Sequence, residues 1–176
     1  MTIVAAILAA GSSSRLGRPK QLEPIDGELL LRRTARIALA ARVARVAVVL
    51  GAHRELVAPA LAGLDVDILD NPGWAEGMAS SVRAAVAWAN TPQVDALVLL
   101  VCDQPELTTA QLDALIARAG TRAVASGYAG TAGVPAVFPS AMFPGLAALT
   151  GDRGARALLD DAIVVPWEAG ARDLDV

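Results

Sequence analysis

The sequence predicts an α/β fold with a mostly parallel sheet covered on both faces. Three observations predict it. Short apolar, β-branched runs recur along the chain, helical patterns separate most of them, and 55% of the residues are hydrophobic while only 3% are aromatic. At 176 residues the chain fits one domain, 1–176, long enough to bury a substantial core.

The elements follow in order. Ile3 to Leu8 is a strand, and a glycine-punctuated loop comes next. Leu29 to Ala41 has helical spacing, Val46 to Leu50 is a strand, and Glu55 to Ala62 is a helix with Gly63 as its stop. Val66 to Leu69 is a strand, Met78 to Ala89 a helix, and Ala96 to Val101 the most hydrophobic strand, hence central. Thr109 to Ala119 is a helix capped by Thr108 or Thr109 and stopped at Gly120. Short strands at Ala123 to Ala125 and Val134 to Phe138, a helix over Arg153 to Leu159 and a strand at Ile163 to Val165 complete the chain.

Composition excludes several classes. A net charge of −3 draws the chain neither to nucleic acid nor to an anionic membrane. One cysteine forms no internal disulfide, and no Cys/His spacing of the zinc type occurs, which points to a reducing interior compartment. The apolar start, Ile3 to Ala10, is too short to span a bilayer and runs into the glycine loop rather than a cleavage site. A cytoplasmic location is the expectation. Ala- and Val-rich helix faces suit a monomer and a dimer equally.

In a parallel sheet the ligand crevice lies at the carboxyl ends of the strands. Four such ends carry unusual residues: Gly11 to Lys20, Gly51-Ala52-His53, Asp70-Asn71 and Cys102-Asp103-Gln104-Pro105. The first points to a nucleoside triphosphate. Gly11 and Gly17 are expected to adopt backbone angles closed to other residues and offer N–H groups to an anion, and Arg15 and Lys20 bring positive charge. It is neither Gly-x-x-x-x-Gly-Lys-Ser/Thr nor Gly-x-Gly-x-x-Gly, which weakens ATPase and dehydrogenase readings. A flexible turn with incidental surface cations is the bland alternative, and Arg18 reads equally as a solvated cation.

Asp103 emerges at the tip of the central strand, where it suits a Mg²⁺ that takes one or two carboxylates along with phosphate oxygens and water. Its alternative role is to cap the helix near Thr108 or to sit in a turn ahead of Pro105. The lone His53 reads as a turn or helix-start residue, and Cys102 as a small buried hydrophobe. Asn71 to Ser81 couples a turn to a helix start and suits ribose or base contacts. Otherwise a serine caps the helix there and Trp74 packs in the core. Gly151 to Arg156 offers Arg153 and Arg156 to a phosphate or carboxylate, and Asp152 either as a second metal ligand or as the cap of a helix from Arg153.

Leu8 to Lys20, Asn71 to Arg83, Cys102-Asp103-Gln104-Pro105, Gly133-Val134-Pro135 and Gly151 to Arg156 together resemble the MobA-like nucleotidyltransferase family, in its molybdenum cofactor cytidylyltransferase branch. Order and spacing match over nearly the whole chain. Gln104 is typical of the cytidylyl side, where guanylyl-transferring members usually carry Gly-Asp-Met-Pro. The resemblance implies a three-layer, Rossmann-like nucleotidyltransferase fold of the nucleotide-diphospho-sugar transferase type. It implies transfer of CMP from CTP to the phosphate of molybdopterin carrying molybdenum, with Mg²⁺, and release of pyrophosphate.

On this pattern Gly11, Arg15 and Lys20 hold the triphosphate and Asp103 the Mg²⁺, so Arg15, Lys20 and Asp103 are the expected catalytic residues, with Asp103 as the metal ligand and Asp152 as a second candidate for that role or a helix cap. The expected nucleotide-binding residues are Leu8, Ala9, Ala10, Gly11, Ser12, Arg15, Lys20, Gly51, Asn71, Gly77, Ser80, Ser81 and Asp103. A molybdenum hydroxylase is the expected client. GTP or another nucleotidyl donor, a sugar-phosphate acceptor, or a non-catalytic cofactor-delivery role are the alternatives. Leu16, Val82 and Ala85 depart from the family's usual residues, and the chain ends at Asp173-Leu174-Asp175-Val176, near where many relatives continue through Asp-x-Asp-Thr.

Overall fold

The computed structural model describes residues 1–12 and 18–172, so Arg15, Leu16, Gly17 and the tail from 173 lie outside the described residues. The strands are β1 (Ile3–Leu8), β2 (Pro24–Ile25), β3 (Glu28–Leu29), β4 (Val46–Leu50), β5 (Asp67–Asp70), β6 (Ala96–Val101), β7 (Val124–Tyr128), β8 (Thr131–Pro139) and β9 (Ile163–Pro166). The helices are α1 (Leu30–Ala40), α2 (Arg54–Val57), α3 (Met78–Ala89), α4 (Thr109–Ile116) and α5 (Phe143–Ala147).

Seven strands form one sheet in the order β5-β4-β1-β6-β8-β7-β9. β1 runs parallel to β4 and β6, and β4 to β5. β8 is antiparallel to β6 and β7, and β9 is parallel to β7. Side chains of a strand alternate between faces. Ile3, Ala5, Ile7 and Ala9 therefore pack with Leu31 and Ala35 of α1 and Leu112 and Leu115 of α4. Val4, Ala6, Leu8 and Ala10 pack with Val82 and Val86 of α3 and Phe143 and Leu146 of α5. Helices thus cover both faces, giving three layers. Every residue of β1 is buried, which is why it reads as an unbroken apolar run.

The strand order turns at β1, with β4 and β5 on one side and β6 on the other. That reversal opens a crevice beyond the carboxyl ends of β1 and β6. Register pairs Leu8 with Val101, so both strands end at the same level.

Several expected elements differ. Glu55 to Ala62 is not one helix but α2 followed by a 3₁₀ turn, Ala58–Leu61, because Pro59 sits where a continuing helix needs an N–H. α4 ends at Ile116, before the expected stop at Gly120. The expected helix from Arg153 is a single 3₁₀ turn, Ala155–Leu158, with Gly154 at its head, so Asp152 is not its cap. A β2–β3 hairpin over the turn Asp26-Gly27, a favourable pair for two-residue turns, was not expected, nor was α5, whose Pro144 occupies the first helical turn. The two short strands at 123–125 and 134–138 are longer and form the β7–β8 hairpin.

Candidate active site

Two cavities meet at the crevice. One, about 190 Å³, is lined by Leu8, Ala9, Gly11, Lys20, Gln21, Met78, Val101, Cys102 and Asp103. The other, about 460 Å³, is lined by Leu8, Ala10, Gly11, Ser12, Trp74, Ala75, Gly77, Met78, Ser81 and Asp152. Leu8, Gly11 and Met78 belong to both, making them two ends of one cleft. Lys20 and Asp103, 83 positions apart in sequence, share the smaller end because Pro19 turns the chain into a 3₁₀ turn, Lys20–Leu22, below the end of β1.

The thiol of Cys102 registers both charges. Its pKa is pushed up to about 12, first by burial and then by the neighbouring Asp103 carboxylate, while the Lys20 charge opposes the rise. A thiol held protonated in this way is a packing group. Asp103 is not a helix cap, since Thr108 fills that role by accepting a hydrogen bond from the Gln111 N–H at 3.2 Å.

The chain leaving β1 is tied down on its carbonyls. Gln21 donates from Nε2 to the carbonyls of Ala9 (2.8 Å) and Gly11 (3.1 Å), and the Ala52 N–H donates to Ala10 (3.0 Å). The His53 Nε2 lies 3.3 Å from the Ser12 carbonyl. A carbonyl only accepts, so that nitrogen carries the proton. Four successive carbonyls therefore face protein donors rather than an anion in the cleft. Gly11 does not use the left-handed region expected of it. Among the described residues no atom lies within 4 Å of where its Cβ would stand, and Gly11 lines both cavities.

At the larger end, the turn after β5 is organised by Asn71. Its buried amide donates to Ser80 Oγ (2.8 Å) and Ser81 Oγ (3.0 Å), and Ser80 in turn donates to the Gly77 carbonyl at 2.8 Å. Neither serine caps α3, where Gly77 stands at the N-cap. Ser81 lines the cleft, whereas Ser80 and Asn71 hold the turn beneath it. Trp74 is not core. It is 37% exposed and forms part of the cleft wall, seated on Gly51, where a Cβ would come within 2.6 Å of the Trp74 Cβ.

Gly77 has φ +122° and lies so close to the Gly151 carbonyl and Asp152 Oδ1 that a Cβ would overlap both. This contact brings Asp152 to the cleft. Glu76 and Arg83, neither of which stands out from sequence as a site residue, brace the same loop. Arg83 pairs with Glu76 and donates to the Leu149 carbonyl (2.8 Å), and the Gly151 N–H donates to Glu76 (3.2 Å). The Arg83 guanidinium, helped by the Gly151 N–H, holds the Glu76 carboxyl below the usual carboxylate range.

Other sequence candidates lie elsewhere. Arg18 pairs with Glu23 at the surface, and Arg156 donates to Thr131 Oγ1 on β8. Gln104 is 3% exposed and points away from the cleft residues, donating to the carbonyls of Val134 (3.1 Å) and Gly170 (3.3 Å). Gln21 was missed by sequence reasoning. One signal bearing on its neighbour was available: among 15 Lys and Arg residues, Lys20 is the only lysine.

Among the described residues no three His, Cys, Asp or Glu side chains cluster to cage a metal. Asp103 and Asp152 line opposite ends of the cleft. A single carboxylate such as Asp103 fits a hard, hydrated divalent cation that takes its remaining oxygens from substrate and water. No helix among the described residues is long and apolar enough to cross a membrane.

Comparison with known proteins agrees with this architecture. Residues 5–167 match the family described as the MobA-like NTP transferase domain. The chain is 31% identical over 167 residues to the purine catabolism protein PucB of Bacillus subtilis, covering 89% of this chain and 80% of that one. It is 35% identical over 129 residues to a molybdenum cofactor guanylyltransferase of Rhodobacter capsulatus, covering 72% of this chain and 64% of the relative's length. The crystal structure of Rv0371c from Mycobacterium tuberculosis superposes with a TM-score of 0.86 at 31% identity, over 100% of this chain and 93% of that one. A manganese complex of the same protein superposes with a TM-score of 0.77 at 28% identity, over 96% and 88%.

Proposed function

Since the chain belongs to the MobA-like NTP transferase family, we propose that it moves CMP from CTP onto the terminal phosphate of molybdopterin carrying molybdenum, releasing pyrophosphate. An oxygen of the acceptor phosphate forms a bond to the α-phosphorus, and the bond from the α-phosphorus to the pyrophosphate oxygen breaks. The observation that carries this reading is the shared cavity of Gly11, Lys20 and Asp103 at the level ends of β1 and β6.

Each residue has a task that follows from its surroundings. The Lys20 ammonium binds the polyphosphate and stabilises the charge that grows as pyrophosphate departs. Arg15, outside the described residues, is proposed to assist it. Asp103 is proposed to hold Mg²⁺, with Asp152 as a second carboxylate toward the larger end. A divalent ion, when bound, neutralises phosphate charge and draws the reacting groups into line. The manganese complex of Rv0371c supports a divalent cation in this fold. A phosphate nucleophile is already ionised at neutral pH, so no general base is needed and His53 is left to hold the Ser12 carbonyl. The base and ribose are proposed to occupy the larger end, against Trp74, Met78 and Ser81.

Supply of the finished cofactor to a molybdenum hydroxylase is the proposed downstream step. A specific observation favours GTP as the rival donor: relatives of this chain include molybdenum cofactor guanylyltransferases. Gln104, the residue that resembles the cytidylyl branch, is buried and lines neither cavity, so the cleft wall is proposed to choose the base. The deciding experiment supplies molybdenum cofactor with CTP, GTP, ATP and UTP in turn and scores pyrophosphate. Preference for CTP supports the proposal, preference for GTP moves the chain to the guanylyl branch, and no release with any nucleotide refutes nucleotidyl transfer to this acceptor.

A further inference from the structure

We infer that Gln21 is a positioning residue that sets where Lys20 meets the polyphosphate. The inference rests on the nucleotidyl-transfer reading for its consequence, though not for its geometry. Gln21 is 3% exposed, and both of its donated hydrogen bonds go to the chain leaving β1, at Ala9 and Gly11. Lys20 is the preceding residue and opens the same 3₁₀ turn. One amide thus sews the segment that carries the ammonium to the segment that lines the cleft beside it.

The rest of the amide shows what it is retained for. With Nε2 committed to two carbonyls, Oε1 is sealed from solvent and accepts no hydrogen bond from the described residues. A buried acceptor without a donor destabilises a fold. A side chain serving only to pack would lack that oxygen, so the two donors are the reason for glutamine here. Distance in the transition state is what they protect, since a misplacement of about 1 Å can cost on the order of a hundredfold in rate.

Lys20 is the only lysine in the chain, so protein made with carbon-13 lysine has one lysine side-chain signal, readable without substrate. In Gln21→Met, which keeps the side chain's length and removes both donors together with the unmet acceptor, three results are expected. The protein folds with a lowered melting temperature because the Ala9 and Gly11 carbonyls lose their donor, the Lys20 signal of the free protein moves, and kcat for pyrophosphate release falls by about a hundredfold while KM for the nucleotide changes little. If that variant does not fold, Gln21→Asn keeps the amide but stops short of the carbonyls, and the same displaced signal is expected. An unmoved Lys20 signal in the folded variant, or a kcat within about twofold of wild type, overturns the inference. Should wild type release no pyrophosphate from any nucleotide, the reaction is refuted separately, and the lysine signal still decides whether Gln21 positions Lys20.

Discussion

Replacing Gly77 with alanine tests how the cleft's far wall is held. Gly77 has φ +122° and ψ −171°, a region open essentially only to glycine, and occupying it with another residue costs on the order of 1–3 kcal/mol. A Cβ there also overlaps Asp152 Oδ1 and the Gly151 carbonyl. The carboxylate can swing away, but the carbonyl is backbone and moves only with its loop, which Glu76 holds through the Gly151 N–H. Overpacking of this kind adds about 1–3 kcal/mol, so Gly77→Ala is expected to lose about 4 kcal/mol in total. For a domain of this size that lowers the melting temperature by about 8–16 °C. Gly120→Ala is the control, because nothing lies within 4 Å of its Cβ position and its effect should stay within about 0.5 kcal/mol. Thermal unfolding followed by circular dichroism measures both. A Gly77→Ala protein that melts within about 2 °C of wild type would refute the contact that brings Asp152 to the cleft.

Asp103→Ala is expected to abolish turnover and leave the fold intact, and activity within about tenfold of wild type would remove Asp103 from the reaction. Lys20→Ala should lower kcat by about 100- to 1000-fold, with steady-state pyrophosphate release as the assay and a change confined to KM as the contrary result. Cys102 should resist a disulfide reagent at pH 8 in the native state and react on unfolding, because its thiol pKa is pushed up to about 12. Glu76 has a lowered pKa in the folded state, so its pairing stabilises above the unfolded value of about 4.3 and is lost as pH falls through the folded value. Acid titrations of wild type and Glu76→Gln should therefore converge at low pH and separate near neutrality, and parallel curves would contradict the pairing.

Local chemistry alone determined a good deal of this protein. Unbroken apolar runs mark β1 and β6 as buried strands, since a strand covered on both faces has no polar side to show. Thr108 declares the start of α4 through a cap that needs only its own turn. Glycine, lysine and aspartate at strand ends also stand out locally, because parallel sheets present their ligands there. Tertiary structure alone decided the rest, as partners distant in sequence leave no periodic trace. Only the adjacency of β1 and β6 brings Lys20 and Asp103 to one cavity. Only the fold shows that Gln21 spends its amide on the chain leaving β1, that Gln104 is turned under β8, and that Asp152 walls the cleft instead of capping a helix. Hydrophobic period is written in neighbours a few residues apart, whereas a buried hydrogen bond is settled by whichever segments the core brings together.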